Sequence, residues 1–330
     1  MKGQEGRLPC TERNRDKVGS QMAEKGKLTR TGKAGILKGH LFALLSVTAW
    51  GTSFLVSKNL MEDLSPVQLM VLRFIIAWLA LWVIHPKWRF HWKEEGQFLG
   101  LTLIGNTLYF LAENTALRLT LTSNVSILVS AAPVFSALMM RFFADGEKLS
   151  KRQAAGIGIA FMGVLFVVLN GVFVLKLSPA GDLLAIAAAV FWALYGFGAK
   201  QILERFDSFL ITRKLMFYGI LTSLPLLAAE KGLPPLRLLS LGEGCGLFYL
   251  GLVCSALCYL MWNEAIDEIG AMKTNLYVYA VPVVTMLASA LFLREKITAV
   301  GLIGVALVVG GMMLSSLDGA GKQRINGRKK

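Results

Sequence analysis

The chain has 330 residues, of which 55% are hydrophobic and only 17% charged, against about 25% charged in a soluble domain. Together with a mean hydropathy of +0.56, this argues against a soluble globular core and for a membrane protein. A net charge of +14 would suggest nucleic acid as a partner of a soluble protein, but here its distribution has a membrane explanation, and no nucleic-acid partner is expected.

Residues 1–37 are polar, basic and glycine-containing. They read as a disordered cytoplasmic tail with some attraction to anionic lipid. No short apolar stretch precedes a cleavage site, so the tail is not a cleavable signal peptide. Gly26 to Lys33 superficially resembles a phosphate loop, but five residues rather than four separate its glycines and Ala34 stands where Ser or Thr is required. Met22 is a candidate start of translation, because the residues before it add nothing that a membrane fold needs.

Apolar runs follow at 38–60, 65–84, 97–118, 121–142, 152–171, 180–203, 208–229, 244–264, 272–293 and 297–317. Each approaches the roughly 20 residues that a membrane-crossing helix requires. None alternates with strand period, which argues against a β-barrel. Backbone groups in lipid must bond internally, so each run is expected to be a helix. The expected class is an all-α polytopic membrane protein with ten transmembrane helices. With the N-terminus inside, 27 of the 35 Lys and Arg fall on the inner side and seven outside, while Arg73 lies within a span. The positive-inside rule therefore places both termini in the cytoplasm, residues 318–330 forming a second basic tail, in a multi-pass protein of the plasma (cytoplasmic) membrane.

The sequence repeats itself. At an offset of 142, Gly39, Leu41, Ala43, Trp50 and Lys58 meet Gly181, Leu183, Ala185, Trp192 and Lys200. Further on, Pro133 meets Pro282, Glu147-Lys148 meets Glu295-Lys296, Gly156 meets Gly304 and Gly163 meets Gly311. This is a duplicated five-helix unit, 38–171 and 180–317. Five is odd, so the two halves run in opposite senses across the membrane. Inverted repeats with a site between them near the midplane recur in secondary transporters.

Helix faces repeat at i, i+4, i+7 and i+11. On the first span that face is Ser46, Trp50, Ser53 and Ser57; on the sixth it is Ala188, Trp192, Tyr195 and Ala199. On the third it is Thr102, Asn106, Tyr109 and Glu113, and on the eighth Ser255, Tyr259 and Trp262. Four polar-aromatic faces in otherwise apolar helices are explained together by a water-filled cavity. For a single Ser or Thr the competing explanation is a bond to its own backbone or to a neighbouring helix. Trp50 and Trp192 lie mid-span, which argues against an interfacial belt.

Arg73 is the costliest intramembrane residue. It reads either as a strut bonded to backbone carbonyls or Glu113, or as a cation facing an anionic group of the substrate. Glu113 is the best candidate for proton coupling, with Glu264 a similar group on the inner side. Pro133 and Pro282 each remove a backbone bond inside a helix, giving paired kinks that act as hinges or fixed bends. Glu147-Lys148 and Glu295-Lys296 suit a helix-capping role, and Lys58 and Lys200 end their helices with stems along apolar surface. The glycine-rich faces 156–163 and 301–311 allow close helix approach, as scaffold or as a homodimer contact. Cys254 and Cys258 lack the partners of a zinc site, so no metal and no cofactor are expected.

In these motifs the sequence resembles the EamA family of the drug/metabolite transporter superfamily, as two tandem repeats over about residues 39–315. The first carries Trp50, Gly51, Ser53 and Phe54, then Arg73-Phe74, Ala116, Ser123, Pro133 and Glu147. The second carries Trp192, YLMWNEAI at 259–266, Gly270, Pro282-Val283, Leu293-Arg294-Glu295-Lys296, Gly304 and Gly310-Gly311. Ala144-Asp145-Gly146 departs from the family's apolar-Gly turn. The resemblance implies a ten-helix transporter with a central cavity, often an exporter of amino acids or other metabolites. A mostly neutral, aromatic wall suits amino acids and amphipathic metabolites better than sugar phosphates. The alternatives are an intramembrane enzyme, for which no HExxH, mid-membrane aspartate pair or nucleophile elbow appears, and a metabolite importer.

Overall fold

The computed structural model describes residues 33–86, 90, 92–120, 122–143, 150–169, 178–230, 232–233, 240–292 and 297–317. The expectations for Met22, for Gly26 to Gly32 and for the Glu147-Lys148 and Glu295-Lys296 pairs lie outside these residues, as do those for the two tails through Gly32 and from Asp318; Lys33–Leu37, expected within the disordered tail, instead form the start of the first helix. Most of the described residues are helical, with no strand among them. In chain order they form α1 (Lys33–Leu60), α2 (Pro66–Ile84), an interrupted α3 (Glu95–Thr102, Leu103–Leu108, Tyr109–Leu119) and a broken α4 (Thr122–Val129, Ala132–Phe143). Then come α5 (Lys151–Leu169), α6 (Pro179–Leu203), α7 (Ser208–Ala229) and α8 (Leu241–Phe248, Tyr249–Leu257, Cys258–Ile269). The last are α9 (Ala271–Leu276, Tyr277–Tyr279, Ala280–Phe292) and α10 (Ala299–Leu317).

Local chemistry sets these boundaries. Ser65 and Gln68 form a reciprocal capping box at the start of α2, and Pro66 needs no acceptor for an N–H it lacks. Ser240 and Glu243 cap α8 in the same way. Asp207 caps α7 by accepting from the Leu210 N–H at 2.8 Å. Gly270, at φ +86°, makes the turn from α8 into α9, a backbone state that other residues enter only with strain.

Six helical stretches, α1, α2, α5, α6, α7 and α8, are long and apolar enough to cross a membrane. Shorter apolar helices occupy Asn124–Met139 and Ala299–Ser315. The bundle exposes large apolar side chains around its perimeter, among them Leu41, Leu79, Leu183, Phe248, Leu287 and Leu302. In water so many exposed hydrophobics would drive association; in lipid they are solvated.

The packing exchanges the two halves. α1 packs on α8 as α6 packs on α3, α1 packs on α9 as α6 packs on α4, and α2 meets α7. The most extensive contact joins α5 to α10 through the glycines singled out in the sequence. A Cβ on Gly156 would lie 2.6 Å from the Gly311 carbonyl oxygen, and one on Gly163 would lie 2.7 Å from that of Gly304. Gly156, Gly163, Gly304 and Gly311 are therefore packed within the chain, as the scaffold reading of these stripes expects, while nothing lies within 4 Å of a Cβ at Gly158 or Gly310.

Three local features differ from the sequence expectation. Pro133 and Pro282 do not interrupt continuous helices. Pro133 follows the break at Ser130 and Ala131, and Pro282 follows the 3-10 turn Tyr277–Tyr279. Each proline thus sits in the first turn of a new segment, where its missing N–H has no acceptor to lose. Second, α3 and α8 each contain a π-helical segment, Leu103–Leu108 and Tyr249–Leu257, at matching places in the two halves. Third, Arg213 and Lys214, counted among the 27 inner-side charges although they fall in the run 208–229, lie inside α7 and are buried. Lys214 pairs with Glu95 of α3, whose other carboxylate oxygen accepts from the Tyr218 hydroxyl at 2.5 Å.

Candidate functional site

A cavity of about 40 Å³, room for more than one water molecule, lies between the halves and is lined by residues of both. Its wall is built around Trp50 of α1, Trp192 of α6 and Tyr259 of α8. Trp50 and Trp192, equivalent in the repeat, meet edge to face with centroids 5.2 Å apart. Tyr259 lies 5.8 Å from Trp192, and Tyr109 of α3 lies 5.1 Å from it. These geometries suit the ring quadrupoles, whose positive edges meet negative faces.

The π segments help hold this wall. A wider turn displaces carbonyls from the normal ladder and offers them to side chains. The Trp50 indole N–H donates to the Cys254 carbonyl at 3.0 Å, within the segment in α8. The Tyr259 hydroxyl donates to the Gly105 carbonyl at 3.2 Å, within the segment in α3. Gly105 has no room for a side chain there: a Cβ would approach the Tyr195 ring to 2.3 Å.

Of the twelve candidate residues, seven line the cavity: Trp50, Ser53, Arg73, Tyr109, Glu113, Trp192 and Tyr259. Five stand behind it or elsewhere. Trp262 is fully buried beneath Trp50, 4.9 Å between centroids. Tyr195 packs on Trp192 and donates to the Asn263 side-chain oxygen at 2.6 Å; Asn263 in turn donates to Thr212 at 3.0 Å. Asn106 is buried against Met216, and Ser57 is buried on α1 away from the cavity. Ser255 accepts from Arg73 Nε at 2.8 Å. The 3.6-residue period fails across the π segments, which is why Asn106 does not share the Tyr109 and Glu113 face.

The other first-span hydroxyls mostly serve the backbone. Ser46, Thr48, Thr52 and Ser53 donate to Phe42, Leu44, Ala49 and Trp50 carbonyls at 2.8–2.9 Å. Only Ser53 of these reaches the cavity. Phe54, Phe110, Val129, Ser130, Val278 and Val281 complete the wall, and sequence reasoning missed them as wall residues. The phenylalanines and valines carry no polar signal. Ser130 was findable only from the break in α4.

Arg73 is 2% exposed, and its guanidinium carbon lies 4.1 Å from the centre of the Phe110 ring. The strut expected from sequence has different partners: Ser255 and a ring face, not backbone carbonyls or Glu113. Glu113 is held by the Tyr109 hydroxyl, which donates to Oε1 at 2.7 Å. Among the described residues no ion pair joins Arg73 to Glu113. Glu264 lies at the opposite end of the bundle, paired with Lys38 at 2.6 Å. Cys254 and Cys258 are free thiols packed against α1, where their Sγ atoms face the Ala49 and Ser46 carbonyls.

A bundle of apolar helices around a polar-aromatic cavity is the construction of a multi-pass membrane transporter. The sequence agrees: residues 37–169 and 179–317 each match the EamA-like transporter family, and the chain belongs to that family. It is 29% identical to an uncharacterized transporter of Archaeoglobus fulgidus over 287 residues, covering 84% of this chain and 97% of that protein. It is 27% identical over 290 residues to an Escherichia coli protein named a probable amino-acid metabolite efflux pump, covering 84% and 94%. A solved crystal structure at 20% identity shares the fold with a TM-score of 0.67, over 84% of this chain and 97% of that one.

Proposed function

We propose that the protein is a secondary transporter of the plasma membrane that exports a small metabolite, an amino acid or another neutral or amphipathic compound, by alternating access. The observation that carries this reading is the aromatic cavity, whose wall is drawn from both halves of the chain. All ten helical stretches then cross the membrane, with both termini cytoplasmic and the two repeats inverted. The antiparallel, self-complementary contact of Gly156 with Gly311 and Gly163 with Gly304 fits a two-fold axis lying in the membrane plane. The partners are the substrate and the bilayer; a homodimer would leave the Gly156–Gly311 and Gly163–Gly304 contacts in place.

In this orientation the cavity, from Trp50 to Glu113, occupies the external half. The Tyr195–Asn263–Thr212 bonds and the Lys38–Glu264 pair close the internal half. Export requires those contacts to open while the two halves rock. The name of the Escherichia coli relative supports export and an amino-acid substrate.

Purified protein in proteoliposomes is expected to pass a loaded amino-acid mixture saturably, and empty liposomes are not. A lack of flux for every solute loaded would sink the reading. If Glu113 couples transport to protons, Glu113→Gln abolishes flux driven by a pH gradient but retains exchange at equal pH. Unchanged pH-driven flux would remove Glu113 as the coupling group.

A further inference from the structure

We infer that the cavity is built for the zwitterionic head of an α-amino acid, with Arg73 receiving the carboxylate and Glu113 the ammonium. The inference rests on the transport reading and assigns its substrate class to particular atoms.

Two opposite charges buried in a low-dielectric site reach a low free energy by pairing. Arg73 and Glu113 line the same cavity and do not pair. Each is instead held by neutral groups: Arg73 through Nε by Ser255 and through its ring contact with Phe110, Glu113 through Oε1 by Tyr109. These bonds fix the orientation of both groups. They leave the terminal guanidinium nitrogens and Glu113 Oε2 without a hydrogen-bond partner among the described residues. Such a pair is unsatisfied alone and is completed by a ligand carrying the opposite charges.

The broken α4 adds a second, independent feature. Ser130 lines the cavity, is 1% exposed, and its hydroxyl has no partner among the described residues. The segment Ala132–Phe143 begins just beyond it, so its positive dipole end lies at the cavity wall. A broken membrane helix with its amino end at an anionic substrate group is an established way to bind a carboxylate. The Trp50, Trp192 and Tyr259 rings are left for the side chain, which favours apolar and aromatic amino acids.

The test is equilibrium binding to the purified full chain in detergent. The probes are L-phenylalanine, L-leucine, L-methionine, 3-phenylpropanoate and 2-phenylethylamine. L-Phenylalanine is expected to bind at least about ten-fold more tightly than either single-charge analogue, since each analogue leaves one of the two charged groups without its hydrogen bonds. Arg73→Gln should erase its advantage over 2-phenylethylamine, and Arg73→Lys should keep part of it. Glu113→Gln should erase its advantage over 3-phenylpropanoate. Variants are compared only at parental elution volume and unfolding temperature, with Arg73→Lys as the substitute if Arg73→Gln does not fold.

Equal binding of the zwitterion and both analogues overturns the assignment, as does parental selectivity in the Arg73 and Glu113 variants. So does the absence of binding by all three amino acids. None of these outcomes touches the transport reading if proteoliposomes still pass a solute. Zwitterion selectivity without any flux would remove transport and keep the site.

Discussion

Gly311→Val is expected to eliminate folded protein, while Gly310→Ala, one residue away, leaves it unchanged. A Cβ at Gly311 would lie 2.4 Å from the Ala160 backbone nitrogen and 2.6 Å from the Gly156 carbonyl oxygen. Both are backbone atoms of a packed helix, so no side-chain rotation relieves the overlap. Helices α5 and α10 would have to separate along their length, losing the dispersion contacts that drive helix association where lipid supplies no hydrophobic force. Overpacking ordinarily costs about 1–3 kcal/mol; a backbone collision repeated along this seam should exceed that. At Gly310 nothing lies within 4 Å of the added carbon. Fluorescence-detected elution of membrane extracts separates the two outcomes. A monodisperse Gly311→Val protein with parental unfolding temperature would mean that α5 and α10 do not pack as described.

Glu95→Gln is expected to be the most damaging single polar change. Lys214 is fully buried, and Glu95 supplies its counter-charge while accepting from Tyr218. Removing one member of a buried pair costs about 3–5 kcal/mol, because the remaining charge is left in a low dielectric without compensation. Replacing both charges is far milder. The double variant Glu95→Gln, Lys214→Met should therefore recover most of the unfolding temperature lost in Glu95→Gln. A loss in the single variant no greater than in the double would place this pair in water rather than in the core.

The sequence carried much of this architecture because its strongest signals are chemical rarities. Tryptophan in mid-span is unusual, so Trp50 and Trp192 marked both the duplication and the wall where they now meet. Glycines seven residues apart, 156 with 163 and 304 with 311, marked the seam between α5 and α10. What escaped was set by local irregularity. The π segments in α3 and α8 break the helical period, so Asn106 was placed on a face it does not share. Phe110 holds Arg73 by its ring face, a role that an apolar residue does not announce in sequence. Arg213 and Lys214 counted with the inner-side charges because their partners, the His85 carbonyl and Glu95, lie more than a hundred residues away. Ser46 read as cavity wall, yet its shortest route to a partner is the Phe42 carbonyl one turn back.

The central claim is that the Trp50–Trp192 cavity carries an exported metabolite. It is tested most directly by mass-spectrometric profiling of the medium around cells making this protein, compared with cells making Trp50→Ala at equal membrane abundance. Trp50 contacts Trp192, Tyr259 and Trp262 and is anchored to the Cys254 carbonyl, so its loss opens the wall on three sides. The account predicts a small set of compounds, amino acids among them, enriched with the parent protein and returned to background by Trp50→Ala. Identical profiles for parent, Trp50→Ala and cells lacking the protein would contradict it.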